Sequence, residues 1–141
     1  MNKKKLNSTF LDEYIQLDKA CCEKFGISVG GVTEYINRLN NARFAPDRDE
    51  VLPKLVNYRN IRNKFAQDAN EIRKNTELTK DDLKWVKEFE KDLKKKKDPI
   101  SVYLNKARRY ASRRRFLRVL FVILIIVLIC GGAAAAALLL L

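Results

Sequence analysis

Large apolar side chains recur every three or four residues in four stretches of the first two thirds of the chain. That spacing places them on one side of an α-helix, and no stretch alternates with the period of two that a strand needs. The predicted helices cover residues 8–25, 32–42, 47–66 and 79–93, while residues 67–78 are mostly polar and predict a connection. The pattern therefore predicts an all-α fold, a small four-helix bundle.

Local signals mark where these helices begin and end. Ser8 or Thr9 is the expected cap of the first helix, because a side-chain oxygen there accepts from a free backbone N–H. Gly26 is the expected stop of the same helix, since glycine adopts the left-handed conformation at low cost. Thr79 and Asp82 have the spacing of a capping box, which predicts the start of the fourth helix.

A last helix is predicted to start at Asp98 and Pro99 and to run without interruption into the apolar end of the chain. Residues 119–141 carry no polar side chain except the thiol of Cys130. At about 1.5 Å per residue, such a helix spans roughly 34 Å, enough to cross a hydrocarbon core about 30 Å thick. The sequence therefore predicts one C-terminal transmembrane helix, as in tail-anchored proteins.

Charge divides the chain into three segments that match the predicted domains. Residues 1–93, the predicted bundle, hold 18 Lys and Arg against 16 Asp and Glu. Residues 94–118, here called the collar, hold 11 Lys and Arg and one acid, and residues 119–141 hold no charge. Most of the net charge of +12 therefore lies in the collar, and the bundle is nearly neutral.

The collar predicts the orientation of the protein, because basic residues flanking a transmembrane helix stay on the cytoplasmic side. This rule places the N-terminus and residues 1–118 in the cytoplasm of a single-pass protein of the plasma (inner) membrane. Three roles remain open for the collar: topology alone, binding of anionic lipid headgroups, and binding of nucleic acid. The basic residues nearest the apolar run are Lys106, Arg108, Arg109, Arg113, Arg114, Arg115 and Arg118.

Small residues lie inside the predicted span. Gly131 and Ala135, like Gly132 and Ala136, are four residues apart, a spacing that lets two membrane helices approach closely. The pattern is also that of a helix whose small side chains have no particular role. Self-association would fit a third function, that of an oligomerising protein that perturbs the membrane.

The residue types that are missing restrict the chemistry. Histidine is absent, which removes histidine metal ligands, Ser–His and Cys–His nucleophile pairs and the usual proton shuttle at neutral pH. Cys21, Cys22 and Cys130 lack the spacing of a zinc site, and they fit a reduced, cytosolic domain better than a disulfide framework. We therefore predict no catalytic residue, no metal and no cofactor.

One short motif connects the chain to a family. In residues 58–68, Arg62 and Asn63 are followed by Lys, Phe, Ala and then Gln67. This run resembles the RNxxxH signature of HEPN domains, small four-helix bundles found in RNases, toxins and anti-phage systems. Arg62 and Asn63 match the signature, and Gln67 stands where the family has its His. The resemblance implies the fold and a homodimer, whereas Gln67 cannot shuttle a proton.

The candidate anion or RNA contact therefore consists of Arg59, Arg62, Asn63 and Gln67. The alternative for the motif residues is a polar helix face satisfied within the bundle or by solvent. Together the patterns favour a membrane-anchored, non-catalytic HEPN-like domain that binds or recruits a cytoplasmic protein partner. One alternative is a membrane-tethered RNase, toxin or anti-phage defence effector that acts on RNA through Arg62. The expected partners are the lipid bilayer with its anionic headgroups, a second copy of the chain and a cytoplasmic protein.

Overall fold

The computed structural model describes residues 2–68, 70–74 and 77–139, with side chains for all of these except residues 71 and 129–139. This part of the chain contains helices and no strand, which confirms the predicted all-α class. The chain forms two compact units, Met1–Tyr103 and Leu104–Leu141. The helices are α1 (Lys3–Phe25), α2 (Gly31–Asn41), α3 (Arg48–Gln67), α4 (Glu71–Lys74), α5 (Lys80–Lys94) and α6 (Pro99–Leu139).

The four predicted bundle helices are α1, α2, α3 and α5, and together they enclose the core of the first unit. Each contributes a fully buried aliphatic side chain, namely Leu17, Leu39, Leu55 and Val86. Burying a side chain of this size contributes about 1.5–3 kcal/mol. Helix α1 packs against all the other helices from α2 to α5, so it forms the centre of the bundle.

The start of α1 differs from the prediction that Ser8 or Thr9 caps this helix. The helix begins at Lys3, and the side chain of Asn2 accepts a hydrogen bond from the backbone N–H of Lys4 at 3.3 Å. Thr9 lies inside the helix, where its hydroxyl donates to the carbonyl oxygen of Lys5 at 2.8 Å. The added turns are held by burial, because Leu6 and Asn7 are both covered in the fold.

The predicted polar connection of residues 67–78 is also corrected. It contains the short helix α4, and Leu78 just beyond it is 1 % exposed. The side-chain amide of Asn7 donates to the carbonyl oxygen of Ile72 at 2.9 Å, which joins this segment to α1. This segment has too few apolar residues to show a helical period in the sequence. Its helix is stabilised by contacts with α1, because local propensity is too weak to stabilise so short a helix.

Trp85 lies beside the main apolar stripe of α5 and packs within the bundle. It is half-buried, and its ring stacks on that of Phe89 with centroids 4.9 Å apart. The ring of Tyr58 lies 5.5 Å away, and the ammonium group of Lys54 lies 5.4 Å from the Trp85 ring centroid. As the one tryptophan of the chain, it reports on the integrity of the bundle.

The turn between α1 and α2 depends on two glycines. Gly26 ends α1 with φ 68°, the left-handed conformation that the sequence predicted for it. Gly31 starts α2 directly against the backbone of α1. A Cβ atom at Gly31 would lie 2.5 Å from the amide nitrogen of Cys22 and closer still to the carbonyl oxygen of Asp18. The two helices can therefore pack this closely only because residue 31 has no side chain.

Replacing Gly31 with alanine is expected to destabilise the bundle by about 3 kcal/mol, since the atoms in the way belong to the backbone of α1. Urea unfolding of the full chain in non-ionic micelles, followed by Trp85 fluorescence, measures the change. The matched control is Gly26→Ala, which has a strained φ and no atom within 4 Å of the new Cβ. Gly26→Ala is expected to lower the free energy of unfolding by only about 1–2 kcal/mol, the cost of the left-handed conformation for a residue with a Cβ atom. Equal losses in the two variants would contradict the close-packing explanation.

The second unit is part of α6. This helix runs from Pro99 to Leu139, so the predicted continuation of one helix through the collar is observed. The large apolar side chains from Phe116 to Leu128 are each 40–66 % exposed. Within the described residues, no helix combines the length and the apolar character needed to cross a bilayer. The predicted packing positions Gly131, Gly132, Ala135 and Ala136 lie outside the described side chains.

Candidate functional site

A cleft of about 310 Å³ opens on the surface of the bundle beside the N-terminus of α2. We call it the arginine cleft; its lining residues are Tyr14, Ile15, Asp18, Gly30, Thr33, Arg59, Arg62 and Asn63. Three of the four predicted contact residues thus line one cleft. The fourth, Gln67, is the exposed last residue of α3 and does not line it.

Helix α3 presents the polar residues of the cleft on the side adjacent to its buried face. Arg59, Arg62 and Asn63 follow each other at helical spacing, while Tyr58 and Ile61 point into the core. Arg59 is half-buried and Arg62 is exposed. One guanidinium nitrogen of Arg62 donates to the side-chain oxygen of Asn63 at 3.2 Å, which leaves most of its donors directed elsewhere.

Tyr14 forms part of the wall that α1 contributes to the cleft. The residue is 4 % exposed, and among the described residues its hydroxyl has no hydrogen-bond partner. Burial raises the pKa of this phenol well above its usual range, and the charge of Asp18 raises it further. Arg62 and Arg59 act in the opposite direction, so their positive charges are close enough to influence the hydroxyl.

Asp18 joins the cleft to the start of α2. Its Oδ1 accepts a hydrogen bond from the backbone N–H of Val32 at 2.8 Å, which satisfies one of the free donors of that helix. Its Oδ2 lies 3.9 Å from the thiol sulfur of Cys22, a weak donor. Because the helix terminus uses only one of the two carboxylate oxygens, the other remains able to accept a stronger hydrogen bond.

Sequence reasoning missed Tyr14, Asp18 and Thr33 as cleft residues. Tyr14 shares its helical stripe with core residues, so the spacing predicted packing alone. Asp18 and Thr33 are brought to the same side of the bundle by the turn around Gly30, whose φ is 73°. The sequence carries a signal for that turn in its paired glycines, but not for the side chains that meet across it.

A second polar cluster surrounds Asp98, which the sequence predicted only as a helix cap. The carboxylate of Asp98 is fully buried and pairs with the ammonium group of Lys24 at 2.9 Å. The hydroxyl of Tyr35 donates to its other oxygen at 2.8 Å, and the backbone N–H of Ser101 donates to the same atom at 3.2 Å. The predicted cap is therefore present, and it is also the centre of a buried network.

This network connects α1 and α2 to the first turn of α6. Burial raises the pKa of Tyr35 well above its usual range, and the Asp98 carboxylate raises it further, so the phenol stays protonated as a donor. Both carboxylate oxygens of Asp98 are engaged within the fold. The cluster therefore has a structural role, which is to hold the base of α6 against the bundle.

No group of His, Cys, Asp or Glu among the described residues could hold a metal ion. Cys21 and Cys22 are buried free thiols, and burial raises the pKa of Cys21 to about 12, so it is a poor nucleophile at neutral pH. The arginine cleft is therefore the best candidate site in the described part of the first unit, and its two guanidinium groups are donors of the kind that bind anions.

A family model described as "Family of unknown function (DUF6548)" matches residues 8–116. The match starts in α1, covers the rest of the bundle and includes most of the collar. No curated protein matches the chain, and no solved structure does.

Proposed function

The chain belongs to DUF6548, a family of unknown function, and we propose that it is a membrane-anchored, non-catalytic adaptor. In this proposal the apolar end of α6 spans the plasma membrane, and the collar lies against anionic lipid headgroups. The bundle then faces the cytoplasm, where it recruits a protein partner to the membrane surface. The HEPN-like motif supplies a binding surface in place of a nuclease centre.

The observation that carries the proposal is the exposure of the apolar part of α6. From Phe116 to Leu128 the large apolar side chains are 40–66 % exposed, and no charged residue follows Arg118. Exposed apolar patches of this extent are rare on soluble monomers and mark a surface covered by something else. A bilayer supplies that cover on all sides of a helix, whereas a protein partner covers one side.

The collar supports the same interpretation. Its basic side chains from Lys106 to Arg118 are all exposed, directly before the apolar run. Each Lys or Arg close to an anionic leaflet contributes on the order of 1 kcal/mol. A segment with ten net positive charges is therefore strongly attracted to the cytoplasmic leaflet, in addition to directing insertion.

The absence of histidine from the chain supports a non-catalytic role. Arg62 and Asn63 line the arginine cleft, but Gln67, which stands where the HEPN signature has its His, does not line it. Cleavage of RNA through a 2′-hydroxyl needs a group that accepts and returns a proton. The carboxylate in the cleft is that of Asp18, and one of its two oxygens accepts from the N–H of Val32 at the α2 terminus.

Membrane extraction and protease access test the proposal. The full chain with an N-terminal epitope is expected to remain in the membrane pellet after alkaline carbonate treatment. Protease should remove the epitope in inside-out vesicles and leave it intact in sealed spheroplasts. Recovery of the wild-type protein in the carbonate supernatant would contradict the anchor.

Charge reversal provides the matched comparison for orientation. Changing Arg113, Arg114 and Arg115 to glutamate should reduce the fraction with a cytoplasmic N-terminus, because the positive charges beside the span direct insertion. The same change at residues 3–5, three lysines far from the apolar run, should leave the orientation unchanged. Equal effects of the two triple substitutions would argue against a topological role of the collar.

A further inference from the structure

The arginine cleft contains more hydrogen-bond donors than the fold uses. Arg59 and Arg62 lie one helical turn apart on α3, and neither forms an ion pair with any described residue. Guanidinium groups carry planar forks of N–H donors that match the oxygens of phosphate and carboxylate. Two such groups at one cleft favour an anionic ligand with several oxygen atoms.

The hydroxyl of Tyr14 faces the same space. Tyr14 lines the cleft, and the residue is 4 % exposed. Its hydroxyl forms no hydrogen bond with the described residues and is not among their fully enclosed polar atoms, so it can donate to a ligand in the cleft. Its position beside Arg59 and Arg62 adds a third donor for the same anion.

Asp18 restricts which anion fits. A carboxylate beside an anion repels it. A hydroxyl group on the anion offsets this repulsion when it donates a hydrogen bond to the carboxylate. The Oδ1 atom of Asp18 is occupied by the N–H of Val32, while Oδ2 has only the thiol of Cys22 at 3.9 Å. A protonated oxyanion therefore finds both hydrogen-bond donors and one acceptor, Oδ2 of Asp18, in the cleft. A fully deprotonated oxyanion has no hydrogen to donate to that oxygen and is repelled by its charge.

We infer that the arginine cleft binds a phosphoryl oxyanion that retains a P–OH group. Its oxygens accept hydrogen bonds from Arg59, Arg62 and Tyr14, and its hydroxyl donates to Oδ2 of Asp18. Free hydrogen phosphate and a phosphomonoester monoanion share this chemistry. Sulfate and the internal phosphodiesters of RNA lack the proton, so the cleft discriminates against both. The inference rests on the proposed function in that it names the chemistry the cytoplasmic bundle recognises.

Calorimetric titration of the full chain in non-ionic micelles tests the inference at pH 6, near the second pKa of phosphomonoesters. The probes are inorganic phosphate, phenyl phosphate, sulfate and dimethyl phosphate. Phosphate is expected to bind at least about tenfold more tightly than sulfate or dimethyl phosphate, because an anion without a hydrogen to donate is repelled by the charge of Asp18 and gains no hydrogen bond from it. Tighter binding of phenyl phosphate than of inorganic phosphate would identify a phosphomonoester as the ligand, with Ile15 beside the phenyl ring. Tighter binding of inorganic phosphate would identify free phosphate as the ligand.

Substitutions assign the binding to the cleft. Arg59→Ala and Arg62→Ala are each expected to weaken phosphate binding about tenfold or more, and Tyr14→Phe severalfold, since charge-assisted hydrogen bonds exceed neutral ones. Asp18→Asn keeps an oxygen for the N–H of Val32 and removes the charge. It should bring sulfate and phosphate to within about threefold of each other, which a merely structural role of Asp18 does not predict.

Two controls separate the cleft from the collar. Arg43→Ala removes an exposed cation from the bundle, and Arg109→Ala removes one from the collar; neither should change phosphate binding. Equal affinities for phosphate and sulfate, or equal losses in Arg62→Ala and Arg109→Ala, would overturn the inference. The titration is made in micelles and does not depend on membrane orientation, so its failure and that of the proposed anchor are distinguishable.

Discussion

Replacing Asp98 with alanine is expected to destabilise the bundle by about 3–5 kcal/mol, the range for removing one partner of a buried ion pair. The substitution removes the carboxylate that pairs with the ammonium group of Lys24 and accepts from the hydroxyl of Tyr35, and it leaves Lys24 only the hydroxyl of Ser101 as an acceptor among the described residues. It also removes the side chain that accepts from the N–H of Ser101 at the start of α6. Lys24 retains 17 % side-chain exposure and can partly regain water, so the loss should lie near the lower end of the range.

Urea unfolding of the full chain in micelles, followed by Trp85 fluorescence, measures this loss. The matched control is Asp92→Ala, which removes an exposed carboxylate from α5 and should change the free energy of unfolding by less than about 0.5 kcal/mol. Tyr35→Phe removes one of the hydrogen bonds to Asp98 and should cost about 1–2 kcal/mol. A loss below about 1 kcal/mol for Asp98→Ala would show that the network does not support the fold.

Placing two arginines in the apolar part of α6 is expected to release the protein from the membrane. Each arginine at the centre of a transmembrane helix opposes insertion by about 2.5–3.5 kcal/mol on insertion scales, so the pair Ile123→Arg and Ile126→Arg should cost about 5–7 kcal/mol. The two side chains are 54 % exposed on a segment without charge. The fraction recovered in the carbonate supernatant measures the effect.

A double substitution in the bundle controls for the added charge. Val29 and Phe44 are 81 % and 87 % exposed, so Val29→Arg with Phe44→Arg adds two cations without entering a core. This variant should remain in the membrane pellet like the wild type. If the α6 variant also stayed there, the apolar run would not be the element that holds the protein, and attraction between the collar and lipid would become the main explanation.

The bundle was largely predictable because its signals are local. Apolar residues three or four apart predicted four helices, whose buried residues include Leu17, Leu39, Leu55 and Val86. The stop at Gly26 was placed correctly. The capping box of Thr79 is present as predicted, with the Thr79 hydroxyl accepting from the N–H of Asp82 and the carboxylate of Asp82 accepting in return. Each of these features depends on residues within a few positions of one another.

The errors occurred where distant contacts override local preference. Helix α1 begins at Lys3, before the predicted caps, because Leu6 and Asn7 are buried against other parts of the fold. Helix α4 forms in a segment that reads as polar connection, and the bond from Asn7 to Ile72 joins it to α1. Propensity is weak for such short helices, so packing decides whether they form.

The candidate site was predicted only in part, for the same reason. The motif named Arg59, Arg62 and Asn63 as one surface, because residues three and four apart share a helix face. It also named Gln67, which lies beyond the cleft at the end of α3. The spacing of residues in the sequence shows which of them share a helix face. It does not show how far along that helix the cleft extends, because the cleft is formed by packing against other helices.

The sequence by itself determined the all-helical class, the three charge segments and the absence of histidine chemistry, since these follow from composition and short-range spacing. Only the tertiary structure decided that Tyr14 and Asp18 of α1 face the arginines of α3, and that Asp98 is a buried ion-pair partner. These pairs are separated by 41 to 74 residues in the chain. No local sequence pattern encodes these contacts between distant residues, because they arise from the way whole helices pack around a shared core.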